Sequence, residues 1–256
     1  VATQFAKLGL EPGLGTNGWF QVVPFLESQV IEESRQMSLR HAGGTEVLDC
    51  PADFLLGSPL LGTNVSVTAP LVFVGFGVRA PELGYDDLAG VDVRGKIAVV
   101  LSKAPSRFPA TALAHHSHAR QKAKALADAG AIGVISVPTP KDLVESPWAR
   151  QIMQSRFPAM RWTWDDGRPA DVVPEMKITG SLSPAGAAKV FARGPKPLAE
   201  VLAAGERGEV QGFPLNVEAT LTVRGAHRRI TSPNVIGVLP GSDPELAAEA
   251  VVVTAH

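Results

Sequence analysis

Six histidines, one cysteine and 25 Asp and Glu residues are the side chains of this 256-residue sequence suited to metal, acid–base or nucleophile chemistry. His115, His116 and His118 fall together, and His115 and His118 are spaced to share a helix face. No carboxylate or cysteine stands close by in sequence to complete a metal shell, so the trio reads as the solvated entrance of a helix. His41 and His227 lie among polar neighbours and read as surface histidines. Cys50, just before Pro51, reads as a small hydrophobe rather than a nucleophile. The sixth histidine, His256, follows the apolar run Val251-Val252-Val253-Thr254-Ala255. In open α/β sheets a rigid strand aims a side chain from its carboxyl end into a crevice, which is where a ligand would stand. Zinc needs about three or four protein ligands, so taken alone His256 is an orphan imidazole.

Other motifs fail on context. Gly13-Leu14-Gly15-Thr16-Asn17-Gly18 has dinucleotide-fingerprint spacing, but a helix end precedes it and a strand-type run follows, the reverse of what a pyrophosphate needs. Gly75-Phe76-Gly77 does follow a strand, yet Pro81 and Gly84 leave no room for the helix. Both are read as turn glycines. No Walker loop, no G-x-S-x-G elbow and no H-E-x-x-H is present. Asn64-Val65-Ser66 has the spacing of an N-glycosylation acceptor, relevant only to a eukaryotic secretory source.

The elements that must position these residues are short. Hydrophobic residues make up 45% and charged residues 19%, which excludes a disordered chain, and 24 Lys and Arg against 25 Asp and Glu give no basic footprint for nucleic acid. Twenty-five Gly and 21 Pro favour many turns over a helical bundle. No apolar run approaches the roughly 18 residues of a membrane span. One cysteine excludes an internal disulfide and a cysteine-rich zinc site. The chain opens on Val1 without a basic-then-apolar leader and stops on a strand-type run, so it reads as a fragment truncated at both ends.

Residues 3–10 read as the end of a helix, and 19–25, 34–40, 45–49, 65–78 and 96–101 as β-type runs, the last apolar enough to be covered on both faces. A helix is expected over 117–129, with an apolar stripe of Ala119, Ala123, Leu126 and Ala127, stopped by Gly130 and followed by a strand over 131–137. Residues 148–174, with three of the four Trp, read as a long irregular excursion. A strand over 175–179 follows, then a helix capped by Ser183 with Pro184 at its first position, and a short helix over 198–204. Strands are expected over 215–224, 234–239 and 250–254.

Tyr85-Asp86-Asp87-Leu88-Ala89-Gly90-Val91-Asp92-Val93-Arg94-Gly95-Lys96 holds nothing reactive and, by its residues alone, is an acidic turn leading into the strand Ile97-Ala98-Val99-Val100-Leu101. Together with Phe73-Val74-Gly75-Phe76-Gly77 before it, however, the stretch resembles the protease-associated (PA) domain as it occurs inside zinc aminopeptidases. The flanks are similar to the same peptidases: Leu8 to Gly13 with Trp19 to Pro24 on one side, Ser232 to Pro244 on the other.

The resemblance implies an α/β fold, with a β-rich PA domain over 51–212 inserted into an incomplete α/β zinc-peptidase domain made of 1–50 and 213–256. It implies that His256 is the first ligand of a two-zinc site whose remaining ligands and general base lie beyond it, so no catalytic residue is expected within the fragment, which by itself is inactive. The whole protein would use metal-activated water to remove N-terminal residues from a peptide or protein substrate. No nucleic-acid partner and no transmembrane segment are expected, and the family implies a secreted or periplasmic location. The alternative is a non-catalytic, receptor-like relative, as in transferrin-receptor ectodomains, that uses the PA domain for protein interaction. The excursion at 148–164, with Arg150, Arg156 and Arg161, is a candidate contact surface; the plainer reading is a lid packed by its own Trp residues.

Overall fold

Ile97–Leu101 is buried at every position, and the rest of the sheet is assembled around it. The computed structural model describes residues 1–15, 18–246 and 248–255. In chain order its helices are α1 (Ala2–Lys7), α2 (Ala110–Ser117), α3 (Ala119–Asp128), α4 (Pro140–Glu145), α5 (Trp148–Gln154), α6 (Pro184–Phe191) and α7 (Leu198–Arg207). The strands are β1 (Glu11–Pro12), β2 (Phe20–Val30), β3 (Gln36–His41), β4 (Gly44–Leu48), β5 (Phe54–Leu56), β6 (Asn64–Phe73), β7 (Arg79–Ala80) and β8 (Tyr85–Asp86). They continue as β9 (Ile97–Leu101), β10 (Gly133–Val137), β11 (Ala159–Trp162), β12 (Ile178–Leu182), β13 (Phe213–Val235) and β14 (Gly237–Val238).

Ten strands form one sheet, ordered β11-β2-β13-β6-β9-β10-β12-β5, with β3 paired to β13 and β4 to β3. Strands β6, β9, β10 and β12 run parallel; β5 and β13 flank them antiparallel. Alternation divides β9 between two apolar clusters. Ile97, Val99 and Leu101 pack in the larger one with Val190, Phe191 and Val201 from α6 and α7. Ala98 and Val100 face the opposite way, against Leu126 of α3. A strand covered on both faces can be apolar throughout, which is why KIAVVL shows no alternation in sequence.

Local signals held where the chemistry was local. Ser183 Oγ accepts from the Gly186 N–H at 3.0 Å and Pro184 opens α6, as the cap spacing predicts. Gly130, at φ +96°, ends the α3 segment and leads into β10. Gly186 itself lies so close to the Asp53 carbonyl that a Cβ would collide with it.

Five expectations need correction. The helix predicted over 117–129 forms as α3 from Ala119, but a helix the sequence did not announce, α2, precedes it and meets it at His118, whose side chain accepts from Arg120 N. His115 and His116 therefore close α2 rather than forming a solvated entrance, and the His116 side chain is only 12% exposed. The buried face of α3 carries Lys122 and Leu126, while Ala119 is exposed. Residues 148–174 are not wholly irregular: α5 lies within them, and β11 pairs with Phe25–Ser28 at the edge of the sheet. The predicted strand over 175–179 begins only at Ile178. The strand expected over 215–224 runs on as β13, 23 residues long, because Gly225–Val235 continues in register along β2, and the run expected over 234–239 is split between the end of β13 and β14, which pairs with β1. The strand expected over 250–254 is absent: residues 250–254 have no regular structure, with Val251, Val252 and Val253 exposed by 94%, 80% and 89%.

Candidate functional site

The Tyr85–Lys96 motif is a clasp. Strand β6 ends at Phe73, and the chain turns through Gly75 and Gly77 at φ +55° and +67°, a conformation that disfavours any side chain. A Cβ on Gly75 would also run into the Asp87 carboxylate, and one on Gly77 would come within 2.8 Å of Val100. The turn directs two backbone N–H groups inward, and both meet one acceptor. Asp87 Oδ2 accepts from Phe76 N at 2.9 Å and from Val78 N at 3.1 Å, while Oδ1 accepts from the Tyr85 hydroxyl at 2.7 Å. The glycine pair and the Tyr-Asp-Asp run, eight residues apart in the chain, are therefore two halves of one device.

Charge inside this clasp is unusual. Burial pushes the Asp87 carboxyl up to about 6, against the pull of its three hydrogen bonds and of the Lys122 charge. Burial lowers Lys122 to about 8, opposed by the charges of Asp87 and Asp142. The Lys122 ammonium donates to the Leu101 carbonyl at 2.9 Å, at the carboxyl end of the central strand. Burial, then the Asp87 charge, hold the Tyr85 hydroxyl far above the ordinary phenol range, and the Arg107 guanidinium lies over its ring at 5.4 Å. Sequence reasoning missed Lys122 because it looked for apolar residues; a lysine four positions before the buried Leu126 was the available signal.

Beside the clasp lies a cleft of about 360 Å³ lined by Arg79, His115, His116, Lys122, Lys124 and Asp128, among others. Its charges are largely paired. Arg79 lies 3.5 Å from Asp86, Lys124 lies 2.9 Å from Asp128, and His116 Nε2 lies 2.9 Å from Glu82. The His116 ring also stands edge-on to Phe108 and His115. A second cleft of about 470 Å³ opens where β13 bulges between Pro214 and Glu218, with Arg40, Lys96 and Asn216 on its walls. There Arg40 holds Glu218 through two nitrogens at 2.6 and 3.0 Å. Neither cleft pairs a nucleophile with a base in hydrogen-bond reach.

His41 Nδ1 accepts from Gly43 N, and His227 Nε2 lies 2.8 Å from the Pro59 carbonyl, half-buried rather than fully at the surface. Cys50 is half-buried, and burial raises its thiol, so the reactive thiolate is disfavoured. His256, the expected metal ligand, lies outside the described residues, as do Thr16 and Asn17 of the first glycine pattern. Among the described residues no three His, Cys, Asp or Glu side chains are placed to hold a metal ion. The described residues by themselves therefore offer zinc no shell. No helix of the described residues is long and apolar enough to cross a membrane.

Residues 67–168 match the family model of the PA domain. No curated protein matches the chain. Among solved structures it is similar to an aminopeptidase from Aneurinibacillus sp. strain AM-1, with 19% identity over 95% of this chain and 42% of that one, at a TM-score of 0.42. It is also similar to BSAP, a zinc aminopeptidase from Bacillus subtilis, in two structures. These give 19% and 17% identity, 94% coverage of this chain, 40% of the other, and TM-scores of 0.33 and 0.32. The chain thus spans about 40% of the length of the structures it matches. It is a strand-rich α/β protein that carries a PA domain.

Proposed function

We propose that this chain is the PA-domain-bearing part of a zinc-dependent aminopeptidase that removes residues from the N-termini of peptides, secreted or periplasmic in location. The observation that carries the reading is the PA match over 67–168, which falls within the 51–212 span expected for the insert and contains the Tyr85–Lys96 motif. In this reading His256 contributes one imidazole to a two-zinc centre completed elsewhere, and this chain alone does not cleave peptides. The described residues have a different task. The Asp87 clasp holds the turn at the carboxyl end of β6, and the sheet presents its surfaces to the peptide or to the catalytic part.

The test uses the longer parent protein and this chain side by side. The parent is expected to hydrolyse an aminoacyl p-nitroanilide, to lose activity to a chelator and regain it with zinc, and to lose it permanently on His256→Ala. The 256-residue chain is expected to show no turnover with added zinc. A parent that binds peptides but never hydrolyses them, with zinc supplied, overturns the enzyme reading in favour of a receptor-like relative.

A further inference from the structure

Residues 106–117, from the loop after β9 through α2, lie over the clasp on few attachments. No residue of α2 is buried, whereas α3, α6 and α7 each bury at least two. Phe108, 7% exposed, is the buried side chain of the segment; Ala112 and Leu113 are half-buried against the larger apolar cluster. Hydrogen bonds hold it less still. Among the described residues, the backbone groups of 106–117 bond only within 105–118. One side-chain bond reaches outward, between His116 Nε2 and Glu82 Oε1 at 2.9 Å.

Both ends of the segment are fixed. Before it, Ala104 and Pro105 are buried, and the Lys103 ammonium holds Asp142 at 3.1 Å and Glu145 beside it. After it, His118 leaves the helical path at φ −69° and ψ 126°, and α3 follows with Lys122 and Leu126 enclosed. Beneath the segment, the Phe108 ring stands edge-on to Tyr85 at 5.3 Å and to His116 at 5.8 Å. Tyr85 donates to Asp87, so Phe108 is the plug over the polar pair of the clasp. His115 and His116 also form a wall of the cleft beside it. The closed position has a defect: Ser117 Oγ is buried without a hydrogen-bond partner among the described residues, and water entering on opening would satisfy it.

We propose that residues 106–117 are a flap that lifts from the clasp while the sheet stays folded, latched shut by His116 on Glu82 and plugged by Phe108. Opening takes His115, His116 and Phe108 away together and joins the cleft to the Tyr85–Asp87 pair. Segments with few buried apolar contacts and few outward hydrogen bonds open locally, below the free energy of global unfolding. An eight-residue helix is too short to hold itself in water, so α2 loses its turns as it leaves. The flap lies inside the span that matches the PA domain, and its motion requires no peptidase activity.

Two readouts on this chain test the flap: hydrogen exchange by mass spectrometry, and nitration by tetranitromethane of Tyr85, the single tyrosine. The peptide covering 106–117 is expected to exchange at least about a hundredfold faster than β9. His116→Ala and Glu82→Gln are each expected to speed exchange in 106–117, and nitration of Tyr85, by about threefold or more. Combined, they do no more than either alone, because both remove the same bond. Phe108→Ala is expected to raise nitration further. Lys124→Gln, which breaks an exposed pair of α3 on the same cleft, leaves both rates unchanged. Exchange in 106–117 as slow as in β9, nitration indifferent to His116→Ala and Glu82→Gln, or an acceleration shared equally by β9 overturns the proposal.

Discussion

The parallel centre of the sheet and the β2–β13 ribbon are built from the same kind of strand, yet they solve opposite problems. Around β9 every side chain is enclosed, and even the charged groups, Asp87 and Lys122, are taken inside and satisfied by hydrogen bonds. On the ribbon apolar residues stand in solvent, and Arg161 and Arg229 lack a partner carboxylate among the described residues. A strand buried on both faces gains from every side chain; a two-stranded ribbon gains little alone. Stability is concentrated in the first region.

The sharpest way to break this contrast is at the clasp turn. Gly75→Ala adds a methyl that collides with Asp87 at a left-handed φ, and Leu126→Ala empties a fully enclosed site; each is expected to cost about 2–5 kcal/mol in urea unfolding. A loss below about 1 kcal/mol for both would show that the centre is looser than its packing. Asp87→Ala removes the acceptor of two buried N–H groups, at about 1–3 kcal/mol for each left unpaired. Hydrogen exchange at Phe76 and Val78 should accelerate most in that variant.

Next in size is the pH dependence. Asp87 is raised from 3.8 to about 6, so its contribution is fully present below pH 3.8 and is lost as pH rises through about 6. Lys122 is lowered from 10.5 to about 8, so its contribution is present above pH 10.5 and is lost as pH falls through about 8. Between pH 6 and 8 both groups are charged and stability from this pair is at its minimum. Denaturant midpoints of Asp87→Asn, compared with the parent chain from pH 4 to 7, should have lost the acid-side rise. The smallest effect belongs to the ribbon: Val22→Ala is expected to move stability by no more than about 0.5 kcal/mol. A larger cost would mean that this face is already packed against something in solution.

Sequence patterns reached the enclosed region far better than the ribbon. Ile97–Leu101, the cap at Ser183 with Pro184 behind it, and the helix–Gly–strand passage through Gly130 all depend on neighbours a few residues away, and all were legible. β11 was not, because Ala-Met-Arg-Trp has no strong pattern until Phe25–Ser28 supplies the other half of its hydrogen bonds. The unity of β13 was hidden for the same reason, since its second half alternates against β2 and not against a core. Of the candidate sites, the pairing of His116 with Glu82 was hidden because the two stand 34 residues apart, and Lys122 was masked by the apolar stripe it interrupts.

Residue type and spacing were enough to establish an α/β chain punctuated by glycine turns and a PA-like motif, because turns, caps and short buried strands are set by local sterics and hydrogen bonding. Only the folded sheet decided that Asp87 closes on the turn at Gly75 and Gly77, that Lys122 lies buried at the end of β9, and that Arg161 and Arg229 flank one leucine. Those meetings depend on strand order and register, which join segments as far apart as residues 26 and 229, and no local pattern encodes which distant strand will lie alongside.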